Sequence, residues 1–480
     1  MQHSKKTKIV ATLGPAINNR ETLKELMISG VNVFRINFSH ADYENVKDLV
    51  KIIRELNDEL GFHVACLADL QGPKLRVGVM ADGVELAPGD VFTFTTDALD
   101  MGTEEKAFMT YQNFPKDVKV GEQILVDDGK LLFEVTASDG TANVTTKVLR
   151  GGPLKSKKGV NLPNTAISLP ALTEKDVKDA IFALSLQVDW IALSFVRNPQ
   201  DLHDIHKLIS DNSDISEFRT PVIAKIEKPE AVDNIDEIIP FCDALMVARG
   251  DLGVEIPMAE VPLVQKTLVR KAKESKIPVI IATQMMETMI ENQVPTRAEV
   301  NDVANSIMDG ADAVMLSGET SVGAFPNEVI KKMREIIVSV EHSPLIEVPR
   351  NAPLVKDPTR YISDAVCHQA ALLADNINAK VISTLTYSGY TAFQISAWRP
   401  LSHILVYSPN KRVLAMLNLL WGVKATYYNN EVSTRKTIEE VNKLAVTRGV
   451  VSKGEYIVNL NSTPVKDKGM VNTLRVSEVF

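Results

Sequence analysis

Eight short, continuously apolar runs recur along this chain as far as Leu316. They are Lys8–Leu13, Val31–Ile36, Val64–Asp69, Trp190–Ser194, Val222–Ile226, Ala244–Val247, Val279–Ala282 and Ala313–Leu316. A strand with one wet face alternates apolar and polar residues. These mostly do not, so they read as parallel strands buried on both faces. Helical patterns lie between them. Across Glu44–Leu60 the residues Val46, Leu49, Val50, Ile53, Leu56 and Leu60 recur at spacings of three and four. Thr296 and Glu299 have capping-box spacing ahead of Val300, Val303, Ala304 and Ile307. Eight buried strands with intervening helices predict an α/β fold, a (β/α)8 TIM barrel.

The gap between the third and fourth runs has a different texture. Within it, Glu122–Val126, Lys130–Val135 and Asn143–Val148 read as strands joined by turns at Asp127-Asp128-Gly129 and Asp139-Gly140. Residues 73–169 are expected to be an inserted small β-barrel lid domain. Residues 1–72 and 170–342 then make the barrel, about 245 residues against the ~250 typical of the architecture. A stretch with Pro344, Pro349, Pro353 and Pro358 reads as a linker. Runs at Val381–Leu385, His403–Tyr407 and Tyr456–Leu460 predict a C-terminal α/β domain over 355–480.

The 480 residues carry a net charge of −8, which argues against nucleic-acid binding, where affinity comes from Lys and Arg on phosphates. Cys66, Cys242 and Cys367 are far apart, so neither a disulfide framework nor a thiolate metal site is expected and a cytoplasmic location fits. No apolar run approaches the ~20 residues of a membrane span, and Ile9-Val10-Ala11 is too short for a signal-peptide core.

In such barrels the chemistry gathers where the strands end. Here they end in Thr12, Arg35-Ile-Asn37-Phe38-Ser39-His40, Asp69, Ser194, Lys225-Ile-Glu227, Arg249-Gly250-Asp251, Thr283-Gln284 and Ser317-Gly-Glu319. Lys225 and Glu227, two apart on a strand, face the same way. A lysine inside Val-Ile-Ala-Lys-Ile is costly unless paired or used. Glu227 and Asp251 offer two hard oxygen ligands without histidine, a set for Mg²⁺ or Mn²⁺. Arg35 and Arg76 add forked cations suited to phosphate, and the backbone after Arg249 could hold an anion. Arginines, a lysine and a divalent metal together suit phosphoryl transfer.

At these residues the chain resembles the pyruvate kinases. The resemblance runs essentially end to end. It rests on Lys8-Ile-Val-Ala-Thr-Leu-Gly-Pro15, Asn37-Phe-Ser-His40, Lys225-Ile-Glu227, Met246-Val-Ala-Arg-Gly-Asp-Leu-Gly-Val254, Ala282-Thr-Gln-Met285 and Pro295-Thr-Arg-Ala-Glu299. It implies a homotetramer, each chain with the barrel, lid and regulatory domain, that transfers the phosphoryl group of phosphoenolpyruvate to ADP. Lys225 would stabilise the transferring group and the enolate, Arg35 would hold the phosphate, and Glu227 and Asp251 would hold Mg²⁺. Gly250, Asp251 and Thr283 would bind the substrate carboxylate, with Thr283 and a water as proton donor. Asn37, Phe38, Ser39, His40, Arg76 and the lid residue Lys158 would contact the nucleotide.

Two departures refine this. After strand 3 many relatives carry Asp-Thr-Lys-Gly-Pro-Glu, where this chain has Asp69-Leu-Gln-Gly-Pro-Lys74. In the family, Glu there accompanies K⁺ dependence and Lys accompanies independence. K⁺ is therefore expected not to be required, although Asn37, Ser39 and Asp69 remain as ligands for it. In the C-terminal domain, Thr386, Ser388, Gly389 and Thr391 resemble the family's effector phosphate loop. Tyr390 stands where an arginine is common in the family, and the Trp and Arg that hold a second phosphate there are not apparent in Asn461–Arg475. The expected activator is thus a sugar monophosphate or AMP rather than fructose 1,6-bisphosphate. Because the chain stops at Phe480, no extra phosphoenolpyruvate-utilising domain is expected.

Other polar residues read as structural: Ser317 and Glu319 at the rim, Thr296 and Glu299 as a helix cap, and the Met285, Met286 and Met289 cluster as packing. Asp251 has an N-cap reading beside its metal reading, and His40 a packing one. Two other functions compete: a different Mg²⁺-dependent enolate-forming barrel, and a catalytically silent sugar-phosphate sensor. Retention of Lys158 and Arg76 opposes the first. Retention of Lys225 with both carboxylates opposes the second.

Overall fold

The structure, a computed structural model, describes residues 5–163, 165–343, 360–430, 433–463 and 470–479. The proline-rich stretch and the boundary at 355 lie outside the described residues.

Eight parallel strands close into a barrel. They span Lys8–Thr12, Val33–Asn37, Ala65–Asp69, Trp190–Leu193, Val222–Ile226, Ala244–Ala248, Val279–Ala282 and Ala313–Leu316. Closure comes from the first strand pairing with the last, Lys8 opposite Ala313. These are the eight runs read from the sequence, and most of their residues are fully buried. The helix read over Glu44–Leu60 spans Tyr43–Leu60. Asp42 caps it through Asn45 N, and Gly61, left-handed at φ 65°, ends it. Its Val46, Leu49, Val50, Ile53 and Leu56 face the strands. The capping box is present at Thr296 and Glu299.

The lid contains a six-stranded sheet and a two-stranded ribbon around one apolar cluster that includes Phe92, Phe94, Phe114 and Phe133. Segment 75–78 joins the ends of the six-stranded sheet. On one side Val160 N donates to Leu75 O at 3.0 Å and Val77 N to Lys158 O at 3.0 Å. On the other, Gly78 N donates to Phe108 O at 2.8 Å and Thr110 N to Arg76 O at 3.0 Å. The segment makes single bridges to both sides, Arg76 with Gly159 and Val77 with Met109, and so draws the two edges of the sheet together.

The C-terminal sheet runs Val423–Tyr427, His403–Ser408, Val381–Leu385, Tyr456–Asn461, Thr473–Glu478, with only the last strand antiparallel. This sheet and its helices seal the N-terminal end of the barrel. Val10, Leu67, Ile223 and Met315 from the barrel share one apolar cluster with Ile395, Leu417 and Leu420. Trp190 Nε1 donates to Met416 O at 3.1 Å, and Arg399 pairs with Asp312 at 2.8 Å across the seam. With that end sealed and the lid inserted after the third strand, the opposite rim is where the polar strand ends meet.

Candidate active site

Lys225, on the fifth strand, is the centre of the rim. Its Nζ lies 2.9 Å from Glu227 Oε1, 3.1 Å from Asp69 Oδ1, and donates to Ser194 Oγ at 2.7 Å. The residue is 9% exposed. Burial alone would lower its pKa, but the Asp69 and Glu227 carboxylates more than offset that and raise it above the usual lysine value. The ammonium is a fixed cation in a nearly dry setting. Asp69 uses its other oxygen on Arg35, whose Nε donates to Oδ2 at 2.5 Å while its Nη1 donates to Thr12 Oγ1 at 3.1 Å. Burial would raise the Asp69 pKa, yet Lys225 and Arg35 hold it below the ordinary carboxylate range.

Glu227 is pushed the other way. Burial raises its pKa, Lys225 opposes, and the Asp251 carboxylate adds to the rise. The two carboxylates are near enough to repel each other, an arrangement a divalent cation would relieve. Their donor set is all oxygen, and no group of three His, Cys, Asp or Glu converges among the described residues. Oxygen donors of this kind are those a hard divalent cation takes. Glu227 Oε2 also accepts from Phe195 N at 2.8 Å. Phe195 has φ 55°, and Gly72 lets its ring approach, since a Cβ there would meet Cδ2 at 2.6 Å.

Asp251 sits in the first turn of the helix Arg249–Glu255, whose N-cap is Ala248. The N-cap reading of Asp251 is therefore corrected: the strand runs straight into the helix and leaves no capping position for it. Thr283 Oγ1 accepts from Gly250 N at 2.7 Å and donates to Ala282 O at 2.6 Å. Thr283 and Gln284 have φ 69° and 54°. Arg249, which had no role in the sequence reading, holds this turn: Nη2 donates to Thr283 O at 2.7 Å and Nη1 to Asp302 Oδ1 at 2.7 Å.

The nucleotide candidates divide. Asn37 Oδ1 accepts from Ser39 N at 3.2 Å, and His40 is exposed, which removes its packing reading. The Phe38 ring is core, edge-on to Tyr43 and Phe182, so it is corrected as a side-chain contact; its backbone is engaged as well, N donating to Asp69 O at 3.0 Å and O accepting from Lys175 Nζ at 2.7 Å. In the lid, Arg76 Nη1 donates to Lys157 O at 3.0 Å and Lys158 pairs with Asp127 at 2.8 Å. Lys74 is exposed, makes no ion pair or side-chain hydrogen bond among the described residues, and lines a lid–barrel cavity of about 50 Å³ with Asp251 and Phe195.

The residues set aside as structural behave so. Glu319 is buried and accepts from Ser317 N and Met286 N. Met285, Met286, Met289 and the three cysteines are buried.

In the C-terminal domain, Thr386, Ser388 and Thr391 line a cavity of about 340 Å³. Gly389, φ 88°, opens the helix Tyr390–Ala397, and its N donates to Thr386 Oγ1 at 2.9 Å. Arg360 also lines this cavity, with its guanidinium 4.3 Å from the Tyr390 ring centroid. Sequence reasoning missed this cation because it precedes the loop by more than twenty residues.

The family model for the pyruvate kinase barrel domain matches residues 4–330, and that for its α/β domain matches 364–477. Pyruvate kinase from Corynebacterium glutamicum is 41% identical over 473 residues, 98% of this chain and 97% of the relative. Pyruvate kinase from Mycobacterium tuberculosis is 39% identical over 482 residues, 99% of each. The crystal structure of a pyruvate kinase from Cryptosporidium parvum superposes with a TM-score of 0.91 at 33% identity, covering 99% of this chain and 96% of that one. On its full-length similarity and its barrel, this chain belongs to the pyruvate kinase family.

Proposed function

We propose that this phosphotransferase makes pyruvate and ATP from phosphoenolpyruvate and ADP at the rim around Lys225. The observation that supports it best is the paired Lys225 ammonium, held between Asp69, Glu227 and Ser194. A cation fixed before the reaction needs no reorganisation when charge develops on the phosphoryl group and the enolate oxygen. Arg35, anchored by Asp69, orients the phosphate. The Gly250 amide and Thr283 hydroxyl, already hydrogen-bonded to each other, lie where a substrate carboxylate would exchange into the contact. Glu227 and Asp251 would hold Mg²⁺, which when bound neutralises phosphate and carboxylate charge. Asn37, Ser39, His40, Arg76 and Lys158 would contact the nucleotide; Lys158 would exchange Asp127 for phosphate as the lid closes. Thr283 with a water is the proton donor to the enolate.

K⁺ is not required in this reading. Both Asp69 oxygens already face cations, and Lys74 brings an unpaired ammonium to the cavity that Asp251 lines. The C-terminal cavity takes a monophosphate, a sugar phosphate or AMP, on Thr386, Ser388, Gly389 and Thr391. The family's tetrameric assembly is adopted with it.

A coupled assay for pyruvate tests the main reading, with Lys225→Met as control. Product from wild type and its loss in the variant is the expected result; no product from wild type with Mg²⁺, phosphoenolpyruvate and ADP overturns it. Activation by fructose 1,6-bisphosphate at micromolar levels, without response to monophosphates, overturns the effector assignment.

A further inference from the structure

Lys228 and Glu255 form a buried ion pair at 2.8 Å, each residue 5% exposed. Such pairs add little stability over an apolar pair of the same volume, because desolvating two charges costs about what their attraction returns. The use of this one is geometric. Lys228 directly follows Glu227, and Glu255 is the last residue of the helix that carries Asp251 in its first turn. The fifth and sixth strands beneath are in register, with Lys225 opposite Met246 and Ile226 opposite Val247. The ladder fixes the roots of the two loops and the ion pair fixes their tops, with Glu227 and Asp251 between. Glu255 Oε1 also accepts from Asn161 Nδ2 at 2.8 Å, and Asn161 belongs to a lid strand. Glu255 Oε2 is buried with no hydrogen-bond partner among the described residues, so Oε1 alone joins three separate segments.

We infer that Glu255 is a positioning residue that, with Lys228, sets the spacing of the two metal-binding carboxylates and, through Asn161, ties that spacing to the lid. The inference rests on Glu227 and Asp251 as the divalent-cation ligands. Groups that orient ligands in this way typically change metal affinity 10–100-fold when replaced.

The test is direct Mn²⁺ titration by electron paramagnetic resonance, without substrates, on the full-length protein. Wild type should bind, and Asp251→Asn should bind far more weakly. Lys228→Met combined with Glu255→Gln removes both charges and leaves no unpaired one, so the fold should hold and net charge is unchanged. It should raise the Mn²⁺ dissociation constant about tenfold. Glu255→Gln alone is the isosteric second variant, and thermal melting reads the fold of each. Asn161→Ala should raise KM for ADP and leave Mn²⁺ affinity intact. Wild-type Mn²⁺ affinity in a folded double variant overturns the positioning role. An unchanged KM for ADP in Asn161→Ala overturns the lid connection. If Asp251→Asn binds Mn²⁺ as wild type does, the ligand assignment itself fails and the inference falls with it.

Discussion

Asp69 and Lys225 meet at 3.1 Å although their strands are not neighbours: the fourth strand, Trp190–Leu193, which Ser194 follows, lies between them. Asp69 thereby holds two cations from opposite sides, Lys225 on Oδ1 and Arg35 on Oδ2. Removing one partner of a buried pair leaves the other charge uncompensated.

Asp69→Asn keeps the shape and removes the charge that orients both cations. Lys225 and Arg35 would lose their fixed positions, which is the preorganisation the proposed transfer needs. The expected outcome is a fall in kcat of about 10²-fold, the lower end for loss of one preorganised contact, with a raised KM for phosphoenolpyruvate. Steady-state kinetics on a variant with wild-type circular dichroism checks it. A kcat within twofold of wild type would remove Asp69 from the machinery.

Lys74→Glu tests the cation balance from the other side. The substitution replaces the unpaired ammonium in the Asp251 cavity with a carboxylate. Wild type should show less than a twofold change in rate on adding K⁺ at saturating substrates. The variant should be slow without K⁺ and recover when it is added. A large K⁺ activation of wild type defeats the proposal outright.

The site was legible in the sequence wherever a strand end carried its own chemistry. Lys225 stood out because charge inside an apolar run has few structural uses, and Glu227 and Asp251 because they put two hard oxygen donors at the ends of adjacent strands. What was not legible depends on contacts distant in sequence. Arg249 is held by Asp302, 53 positions away, and Glu255 by Lys228, 27 positions away. Neither spacing is a helix or strand period, so no local pattern exposes it. The barrel strands were readable because both faces are buried. Two C-terminal strands were not: Val423–Tyr427 has a mixed burial pattern, and the antiparallel edge strand Thr473–Glu478 is half-buried or exposed throughout.

His63 and His403 make stability depend on pH. Burial, with nearby Lys411 and Arg448 for His63 and Lys424 and Lys6 for His403, lowers each pKa to about 4. The unfolded value is ~6.5. Between those values the unfolded chain binds protons that the fold refuses, so stability falls as pH drops from 6.5 through 4 and is unaffected above that window. Asp69, with a lowered pKa, contributes stability that is fully present above the ordinary carboxylate range and lost only as pH falls below it, so the two effects separate. Melting temperatures should fall between pH 6.5 and 4.5, and His63→Gln with His403→Gln should flatten that slope. An identical slope in the double variant would show that other groups set it.

Arg399 tests whether the C-terminal domain and the barrel are one energetic unit. Its Nη1 donates to Asp312 Oδ1 at 2.8 Å and its Nη2 to Gly310 O at 2.8 Å, and both partners of the ion pair are nearly inaccessible. Asp312 is committed elsewhere too: Oδ2 accepts from Val279 N at the start of the seventh strand, and Oδ1 from Trp421 N. Arg399→Met fills similar volume but strands the Asp312 carboxylate beside a strand whose far end carries Thr283. Losing one partner of a buried pair costs about 3–5 kcal/mol. Urea unfolding followed by circular dichroism should show a lower midpoint by that measure. The retained Asp312 contact to Val279 should keep the strand register and most of the catalytic rate. Partial recovery of stability on adding Asp312→Asn, which removes the stranded charge and keeps one of its two acceptor contacts to backbone N–H groups, would identify desolvation as the cause. No recovery in the double variant would instead assign the loss to packing against Trp421, whose ring centroid lies 4.8 Å from the guanidinium.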